Sequence, residues 1–167
     1  MRRAIVPSGR RDPEDPEAIR EAALELLDRS RRTRAELERK LREKGFSAPV
    51  LAGVLDRLAG VGLIDDVDYA RAFLSGRLGR RAAGWRRLEM ELRRRGVSAT
   101  DAAAARAALG EEGGADETAL ASRVLRQVEA RYAKLDPRVR RQRLYALLAR
   151  RGFDGDVIER ALRGEKA

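Results

Sequence analysis

Apolar residues recur at helical spacing along most of the chain, and they predict helices separated by short turns. Over residues 17–30, alanine, isoleucine and leucine stand three and four positions apart, which is the stripe of one helix face. Thr33 then lies three residues before Glu36, the spacing of a capping box that opens a second helix, and Gly45 ends that helix. A third helix is expected over about residues 47–58.

The second of these helices is repeated twice further along the chain. Each copy has leucine eight and four residues before a glycine, a basic residue directly before it and an apolar residue directly after it, in LERKLREKGF (37–46), LEMELRRRGV (88–97) and LYALLARRGF (144–153). The glycines are 51 and 56 residues apart, which leaves room for three short helices and their turns. Amphipathic helices precede and follow every copy.

We therefore predict an all-α protein of three tandem three-helix repeats. Because such repeats complete their cores against their neighbours, we expect an elongated, curved molecule. The predicted segments are a flexible N-terminal tail (1–15), the repeats 16–62, 63–112 and 113–167, and a short C-terminal tail within the last of them.

Composition narrows the chemistry that this fold can carry. The 167 residues include no cysteine and no histidine, which excludes disulfides, thiolate and imidazole metal sites, Ser-His-Asp triads and cysteine nucleophiles. We therefore expect no cofactor and no enzymatic activity. No apolar run approaches the roughly 18 residues of a membrane span, and the N-terminus lacks the apolar core of a secretory signal. The simplest expectation is a cytoplasmic protein without a membrane partner.

Net charge points instead to a negatively charged partner. Lysine and arginine number 37 against 27 acidic residues, a net charge of +10, and all but four of the basic residues are arginine. A GC-rich genome could produce that ratio without selection for function. Guanidinium groups nevertheless bind carboxylate and phosphate in a bidentate manner, which suits an acidic protein or nucleic acid.

The arginines are concentrated in two stretches. Between residues 77 and 95, eight arginines accompany only Glu89 and Glu91, and a second cluster spans 138–143. Leucines of the repeat motif occupy the buried stripe, so the arginines must project mostly outward; they either bind something negative or form a solvated face with pairs across helical turns. Our candidate partner-binding or DNA-binding residues are Arg77, Arg80, Arg81, Arg86, Arg87, Arg93, Arg94, Arg138 and Arg141.

A cluster of carboxylates stands before the fourth predicted helix. Asp65, Asp66 and Asp68 are close enough to suggest a metal site or an acid pair. Helix capping is the favoured interpretation, because aspartate at a helix start accepts backbone N–H groups and suits the helix dipole. No further oxygen ligands of the kind that Mg²⁺ or Ca²⁺ requires stand nearby in the sequence.

Two further features lie at the start of the fifth predicted helix. Gly79 and Gly84 have the spacing of a Walker A glycine pair, but Trp85 and Arg86 occupy the positions of its lysine and its serine or threonine. The pair fails as a nucleotide motif, and a turn with Gly84 near the helix start is the better account. Trp85 is interpreted as a core residue rather than as a base-stacking platform.

These residues resemble the RecX regulatory proteins of bacterial recombination. LIDDVDYARAFLSGR (63–77) and GWRRLEMELRRRGVS (84–98) are similar to the family patterns L-I-D-D-x-x-[FY]-A and G-x-x-x-[IL]-x-x-E-L-x-x-[KR]-G-[IV]. SRRTRAELERKLREKGF (30–46) is similar to S-R-x-E-L-x-x-K-L, with Arg32 and Thr33 inserted. The resemblance covers about residues 17–163.

The resemblance implies a modulator of the RecA recombinase. Members of the family have tandem three-helix repeats, bind the RecA–DNA filament in its helical groove and inhibit strand exchange, filament growth and ATP hydrolysis. It also implies a role in DNA recombination, DNA repair and the SOS response. We expect a monomer, although the sequence itself contains no signal for the oligomeric state. The implied partners are the RecA filament and single- and double-stranded DNA, the latter bound without sequence preference.

The main alternative is a stand-alone helical DNA-binding protein or transcription regulator. Such a protein needs a dimerisation element and one reading helix with asparagine, glutamine or arginine at base-reading positions. The chain has three similar repeats instead, with no asparagine and only Gln127 and Gln142. A purely structural scaffold would leave the local arginine excess unexplained.

Overall fold

A computed structural model describes residues 12–80, 82–111 and 116–164, with residues 78–80 described by their backbone alone. This part of the chain contains nine α-helices and no strand, which confirms the all-α prediction. It divides into two compact units, one ending at Asp66 and the other beginning at Val67. The helices are α1 (Pro16–Arg29), α2 (Arg34–Glu43), α3 (Ala48–Gly60), α4 (Asp66–Arg80), α5 (Trp85–Arg94), α6 (Ala99–Glu111), α7 (Glu117–Tyr132), α8 (Pro137–Arg150) and α9 (Gly155–Arg163).

Side chains at the helix starts explain why α1 and α2 begin where they do. The Asp15 carboxylate accepts the N–H of Glu17 and caps α1, whose first residue is a proline that has no N–H to satisfy. Thr33 Oγ1 accepts the N–H of Glu36 at 3.1 Å, the first half of the predicted capping box. Thr33 is completely buried, so its hydroxyl is fixed in place for this role.

The described part of the N-terminal segment is attached to the first repeat. The backbone N–H of Ser47 donates to the carbonyl of Pro13 at 2.8 Å, which joins this segment to the start of α3. The chain is thus held before α1 begins. Residues 1–11, the rest of the predicted tail, lie outside the described residues.

The sequence repeat is also a repeat of backbone geometry. Gly45, Gly96 and Gly152 follow α2, α5 and α8 with φ angles of +93°, +85° and +86°, a conformation that an L side chain adopts only under strain. The N–H of the next residue then bonds to the leucine carbonyl five positions earlier, as in a Schellman motif. These bonds are Phe46 to Leu41 (3.2 Å), Val97 to Leu92 (3.1 Å) and Phe153 to Leu148 (3.3 Å).

Each group of three helices encloses its own hydrophobic core. The leucines four residues before the repeat glycines are completely buried in all three cores. Ile64 still belongs to the first core, and Ala82 packs against the third. The main core residues are Ile19, Leu37, Leu41, Leu51 and Leu55 in the first, Ala70, Leu74, Leu88, Leu92 and Ala105 in the second, and Ala121, Val124, Leu148, Phe153 and Ile158 in the third.

Candidate interaction surface

The arginines of α5 project outward because its leucines face the core. Leu88 and Leu92 are buried, whereas Arg86, Arg87, Arg93 and Arg94 are exposed, as the spacing predicts. Arg95 is half-buried and donates to the Tyr69 hydroxyl at 3.0 Å. The exposed face of α5 therefore presents four guanidinium groups along one short helix.

Carboxylates on the same helix pair with several of these arginines. Glu91 lies 3.2 Å from the Arg77 guanidinium and 3.3 Å from that of Arg87. Glu89 pairs with Arg93 at 2.9 Å. Two glutamates thus neutralise part of the charge of three candidate arginines. Surface ion pairs of this kind contribute only about 0–1 kcal/mol, so a partner with its own negative charge can displace the glutamates.

A fourth arginine finds its partner in the next repeat. The Arg86 guanidinium lies 3.6 Å from the carboxylate of Asp154, which stands directly before α9. Sequence reasoning paired Arg86 only with acids one helical turn away and missed this partner. Arg94 forms no ion pair with a described residue and instead contacts the Met90 sulfur at 3.7 Å. The side chains of Arg80 and Arg81 lie outside the described part of the chain.

The second arginine cluster lies on α8 and is less neutralised. Arg141 pairs with Glu159 of α9. Arg138, Arg140 and Arg143 are exposed and form no ion pair with a described residue. The structure thus separates the candidate residues into those that share a carboxylate (Arg77, Arg86, Arg87, Arg93, Arg141) and those that do not (Arg94, Arg138).

The second and third repeats meet backbone against backbone. The N–H of Gly84 donates to the carbonyl of Arg151 at 2.9 Å, and the N–H of Arg86 donates to that of Gly152 at 3.2 Å. A Cβ atom added to Gly84 would lie 2.2 Å from the Gly152 oxygen, and one added to Gly152 would lie 2.5 Å from the Cβ of Arg87. Glycine is needed at both positions because no side chain fits between the two segments.

Glu117 fastens the same junction from the start of α7. Its carboxylate accepts the backbone N–H of Trp85 at 2.7 Å and lies 3.2 Å from the guanidinium of Arg106. The Arg106 guanidinium in turn lies over the indole ring, 4.7 Å from its centroid. Trp85 packs against the second core, so its interpretation as a core residue is confirmed, and the ring has Arg106 on one face.

The bond made by Glu117 has a counterpart 51 residues earlier. Asp66, the first residue of α4, accepts the N–H of Arg34, the first residue of α2, at 2.9 Å. Glu117 is likewise the first residue of α7, and Trp85 the first residue of α5. The sequence predicted that Asp65, Asp66 and Asp68 cap the helix that they begin; the bond from Asp66 to the start of α2 was not predicted. The equivalent first residue of α8 is Pro137, which has no N–H to offer.

The described residues include neither a candidate metal site nor a candidate membrane span. No group of three or more histidine, cysteine, aspartate or glutamate residues in this part of the chain is arranged to hold a metal ion. None of the described helices has both the length and the apolar composition of a membrane-spanning segment. What the surface presents is an excess of guanidinium groups on α5 and α8.

Comparison with known families matches the three repeats one by one. The model described as "RecX, first three-helix domain" matches residues 20–58, the second three-helix domain matches residues 65–105, and the third matches residues 115–162. These matches cover most of the chain.

Individual relatives and solved structures agree with the family models. The chain is 38% identical over 160 residues to a protein named Regulatory protein RecX from Thermobifida fusca, covering 95% of this chain and 85% of the relative. It is 38% identical over 165 residues to the protein of that name from Mycobacterium sp. strain KMS, covering 93% and 87%. The crystal structure of RecX from Lactobacillus salivarius superposes with a TM-score of 0.81 at 21% identity, covering 89% of this chain and 95% of that one.

Proposed function

Since the chain belongs to the RecX family, we propose that it regulates the RecA recombinase by binding the RecA–DNA filament and inhibiting its strand exchange and ATP hydrolysis. The observation that supports this most directly is the match to all three RecX three-helix domains, with 38% identity to proteins named as regulatory. The protein then acts as a binding regulator and not as an enzyme. Its place is the cytoplasm, where recombinase filaments form on DNA during recombination and repair.

The proposal includes binding to DNA without sequence preference. Exposed guanidinium groups bind phosphate regardless of the base, and such binding weakens steeply as salt rises. Arginines that carry no carboxylate partner contribute most, because phosphate does not have to displace a glutamate or aspartate from them. We assign this role first to Arg94 and Arg138, together with Arg143 of the same helix as Arg138.

The candidate arginines that pair with a carboxylate are assigned a second role. They contact the filament after negatively charged groups of the filament have displaced those carboxylates. Arg77, Arg87 and Arg93 hold glutamates that belong to their own repeat; the arginines are exposed while the glutamates are half-buried, and ion pairs at the surface open at small cost. Acidic or phosphate groups of the filament can then replace the glutamates. Arg86 and Arg141 are held by acids of the third repeat and exchange in the same way, and Arg80 and Arg81 remain proposed from the sequence alone.

Inhibition of the recombinase is the direct test. RecA filaments on single-stranded DNA are mixed with the purified protein, and ATP hydrolysis and filament length are measured in the same samples. We expect both to fall as the protein is added. If neither changes at protein concentrations equal to that of RecA, the proposed function is wrong.

Matched triple variants test the arginine assignment. The test variant removes three arginines without ion pairs, and the control removes three arginines of the first repeat that pair with Glu17, Glu43 and Glu38, so both lose the same charge. We expect weaker inhibition and weaker DNA binding only in the test variant. The substitutions are Arg94→Gln, Arg138→Gln and Arg143→Gln against Arg20→Gln, Arg39→Gln and Arg42→Gln.

A gel-shift assay separates this proposal from a sequence-reading regulator. Random and candidate operator duplexes are compared at two salt concentrations. Salt-sensitive binding that is equal for both duplexes supports the proposal. A site preferred by a factor of about 1,000 or more, as specific DNA-binding proteins show, would support the regulator instead.

A further inference from the structure

An open groove of about 830 Å³ runs between α7 and α8 and reaches the last turn of α9. Its apolar lining includes Leu125, Leu144 and Leu162, all half-buried. Leu125 and Leu162 also pack against the core of the third repeat. The groove therefore exposes leucine surface that the repeat itself leaves uncovered.

The charged side chains around the groove favour a negatively charged occupant. Asp116 is used as the N-cap of α7, accepting the N–H of Thr118 at 2.8 Å, and Arg141 is paired with Glu159. Arg126 and Arg140 are exposed and form no ion pair with a described residue, and the remaining charge in the lining is that of Glu129. Among the charged lining residues that neither cap a helix nor form an ion pair with a described residue, two arginines thus outnumber one glutamate, at a groove with an apolar lining.

This combination suits a protein segment better than nucleic acid. Single-stranded nucleic acid binds where several aromatic rings stack successive bases, whereas the lining contains one aromatic residue, Tyr132, with the Arg131 guanidinium 5.8 Å from its ring centroid. Duplex phosphates are bound by exposed basic residues and gain nothing from buried leucine surface. An amphipathic segment uses both features, because its apolar side chains fill the groove and its carboxylates bind the arginines.

We propose that the groove between α7 and α8 docks an acidic, amphipathic segment of the recombinase filament. Apolar side chains of that segment contact Leu125, Leu144 and Leu162, and its carboxylates bind Arg126 and Arg140. The inference rests on the proposed function and adds to it the part of the partner that this surface recognises.

Photo-crosslinking tests the position and the chemistry of the contact. A photoreactive amino acid replaces Ser122, which lines the groove, or Gln127, which is exposed on the same helix but does not line it. Each protein is irradiated with RecA filaments on single-stranded DNA, and the adducts are identified by mass spectrometry. We expect position 122 to link to a RecA peptide that is rich in carboxylates and contains leucine, isoleucine, valine or phenylalanine, with far less adduct from position 127.

Other crosslinking results would overturn the proposal. Adducts of position 122 that are sensitive to nuclease would make the groove a nucleic-acid site. Adducts to a second copy of this chain would make it a self-association surface. Equal yields from both positions, or no RecA adduct from position 122, would show that the groove is not the docking site.

Two substitutions test the energetics. Leu144→Asp places a carboxylate in the apolar lining, and Ala149→Asp adds a carboxylate at an exposed residue on the same helix outside the groove. We expect Leu144→Asp to weaken filament binding about tenfold or more and Ala149→Asp to have little effect. Arg140→Glu, at an exposed residue that forms no ion pair with a described residue, should weaken binding by a factor of about three to ten.

The outcomes distinguish this proposal from the one on which it rests. Wild-type binding and inhibition together with unchanged binding by Leu144→Asp and Arg140→Glu would overturn the groove alone. A wild-type protein that neither binds nor inhibits the filament would overturn the proposed function and the groove with it. Circular dichroism of each variant establishes that helical content is retained.

Discussion

A single methyl group at Gly84 should disrupt the junction between the second and third repeats. The φ angle of Gly84 is −74°, so alanine adopts this backbone conformation without strain. Its Cβ, however, would stand 2.2 Å from the Gly152 oxygen, where ordinary contacts begin at 3.4 Å, so the facing backbone must retreat by roughly 1.2 Å. The perturbation therefore acts between repeats rather than within α5.

The cost follows from what that retreat breaks. It stretches the two backbone hydrogen bonds of the junction, at 2.9 and 3.2 Å, each contributing about 0.5–1.5 kcal/mol. It also loosens the packing next to Phe153, which is only 2% exposed, and overpacking of this kind costs about 1–3 kcal/mol. Because the terms overlap, we expect Gly84→Ala to reduce the free energy of unfolding by about 2–4 kcal/mol.

Urea unfolding followed by tryptophan fluorescence measures this loss at the junction itself, since Trp85 is the only tryptophan. With an m-value of about 2 kcal/mol per molar urea, typical of a small protein, the midpoint should fall by about 1–2 M. Gly76→Ala is the control in the same unit, because nothing lies within 4 Å of its added Cβ. Alanine is favoured over glycine inside a helix by about 0.5–1 kcal/mol, so this variant should be more stable than wild type.

A serine variant separates the steric clash at Gly84 from the weaker helix capping by alanine. Alanine is also a poorer N-cap than glycine, and Gly84 is the N-cap of α5. Serine is a good N-cap but has the same Cβ, so Gly84→Ser should be destabilised like the alanine variant. If Gly84→Ser matched wild type, or if Gly84→Ala unfolded at the wild-type urea concentration, the close contact would not be what holds the repeats together.

Three further predictions concern the junction and the arginines. Gly152→Ala should cost about 3 kcal/mol or more, from left-handed strain of roughly 1–2 kcal/mol and the clash with Arg87. Gly45→Ala, with open space around it, should show the strain alone; urea unfolding of both variants is followed by circular dichroism, which reports the helices of both units. Glu117→Ala should reduce the free energy of unfolding by about 1–3 kcal/mol, because the N–H of Trp85 is left unsatisfied. Glu117→Gln keeps an acceptor and should recover at least half of that loss. Equal losses in the two variants would contradict the hydrogen-bond argument. In DNA titrations at several salt concentrations, the logarithm of the binding constant is plotted against the logarithm of the salt concentration. The slope of the variant with Arg94→Gln, Arg138→Gln and Arg143→Gln should be smaller in magnitude than that of wild type by about 2–3. An unchanged slope would show that these arginines do not contact phosphate.

Features that are local in the sequence were predictable. Helix spacing, the cap that Thr33 provides for α2 and the glycine that ends each second helix depend on residues within five positions of one another, and the structure confirms them. The outward direction of the α5 arginines followed from the leucine stripe for the same reason. Local patterns therefore predicted the elements and the faces they present.

Contacts between repeats were not predictable from such patterns. Arg86 pairs with Asp154, and Trp85 bonds to Glu117, over separations that no helical period connects. A count of acids near each arginine in the sequence therefore overestimated how much charge is unpaired on α5. A usable signal existed for Glu117: it lies 51 residues after Asp66, the same interval that separates the first two repeat glycines.

The recurring acid bond also bears on how many repeats this architecture can contain. In α2 and α5 the first backbone N–H is satisfied by the first residue of the helix that begins the following repeat, Asp66 or Glu117. Each of these two repeats therefore has a backbone N–H donor that is satisfied by a residue of the following repeat. The third repeat has none, because α8 begins with Pro137 and its next two N–H groups are held by Asp136 at 2.9 and 3.2 Å. The third repeat thus needs no successor at this position, and an array lengthened by copying either of the first two onto the end would carry an open donor.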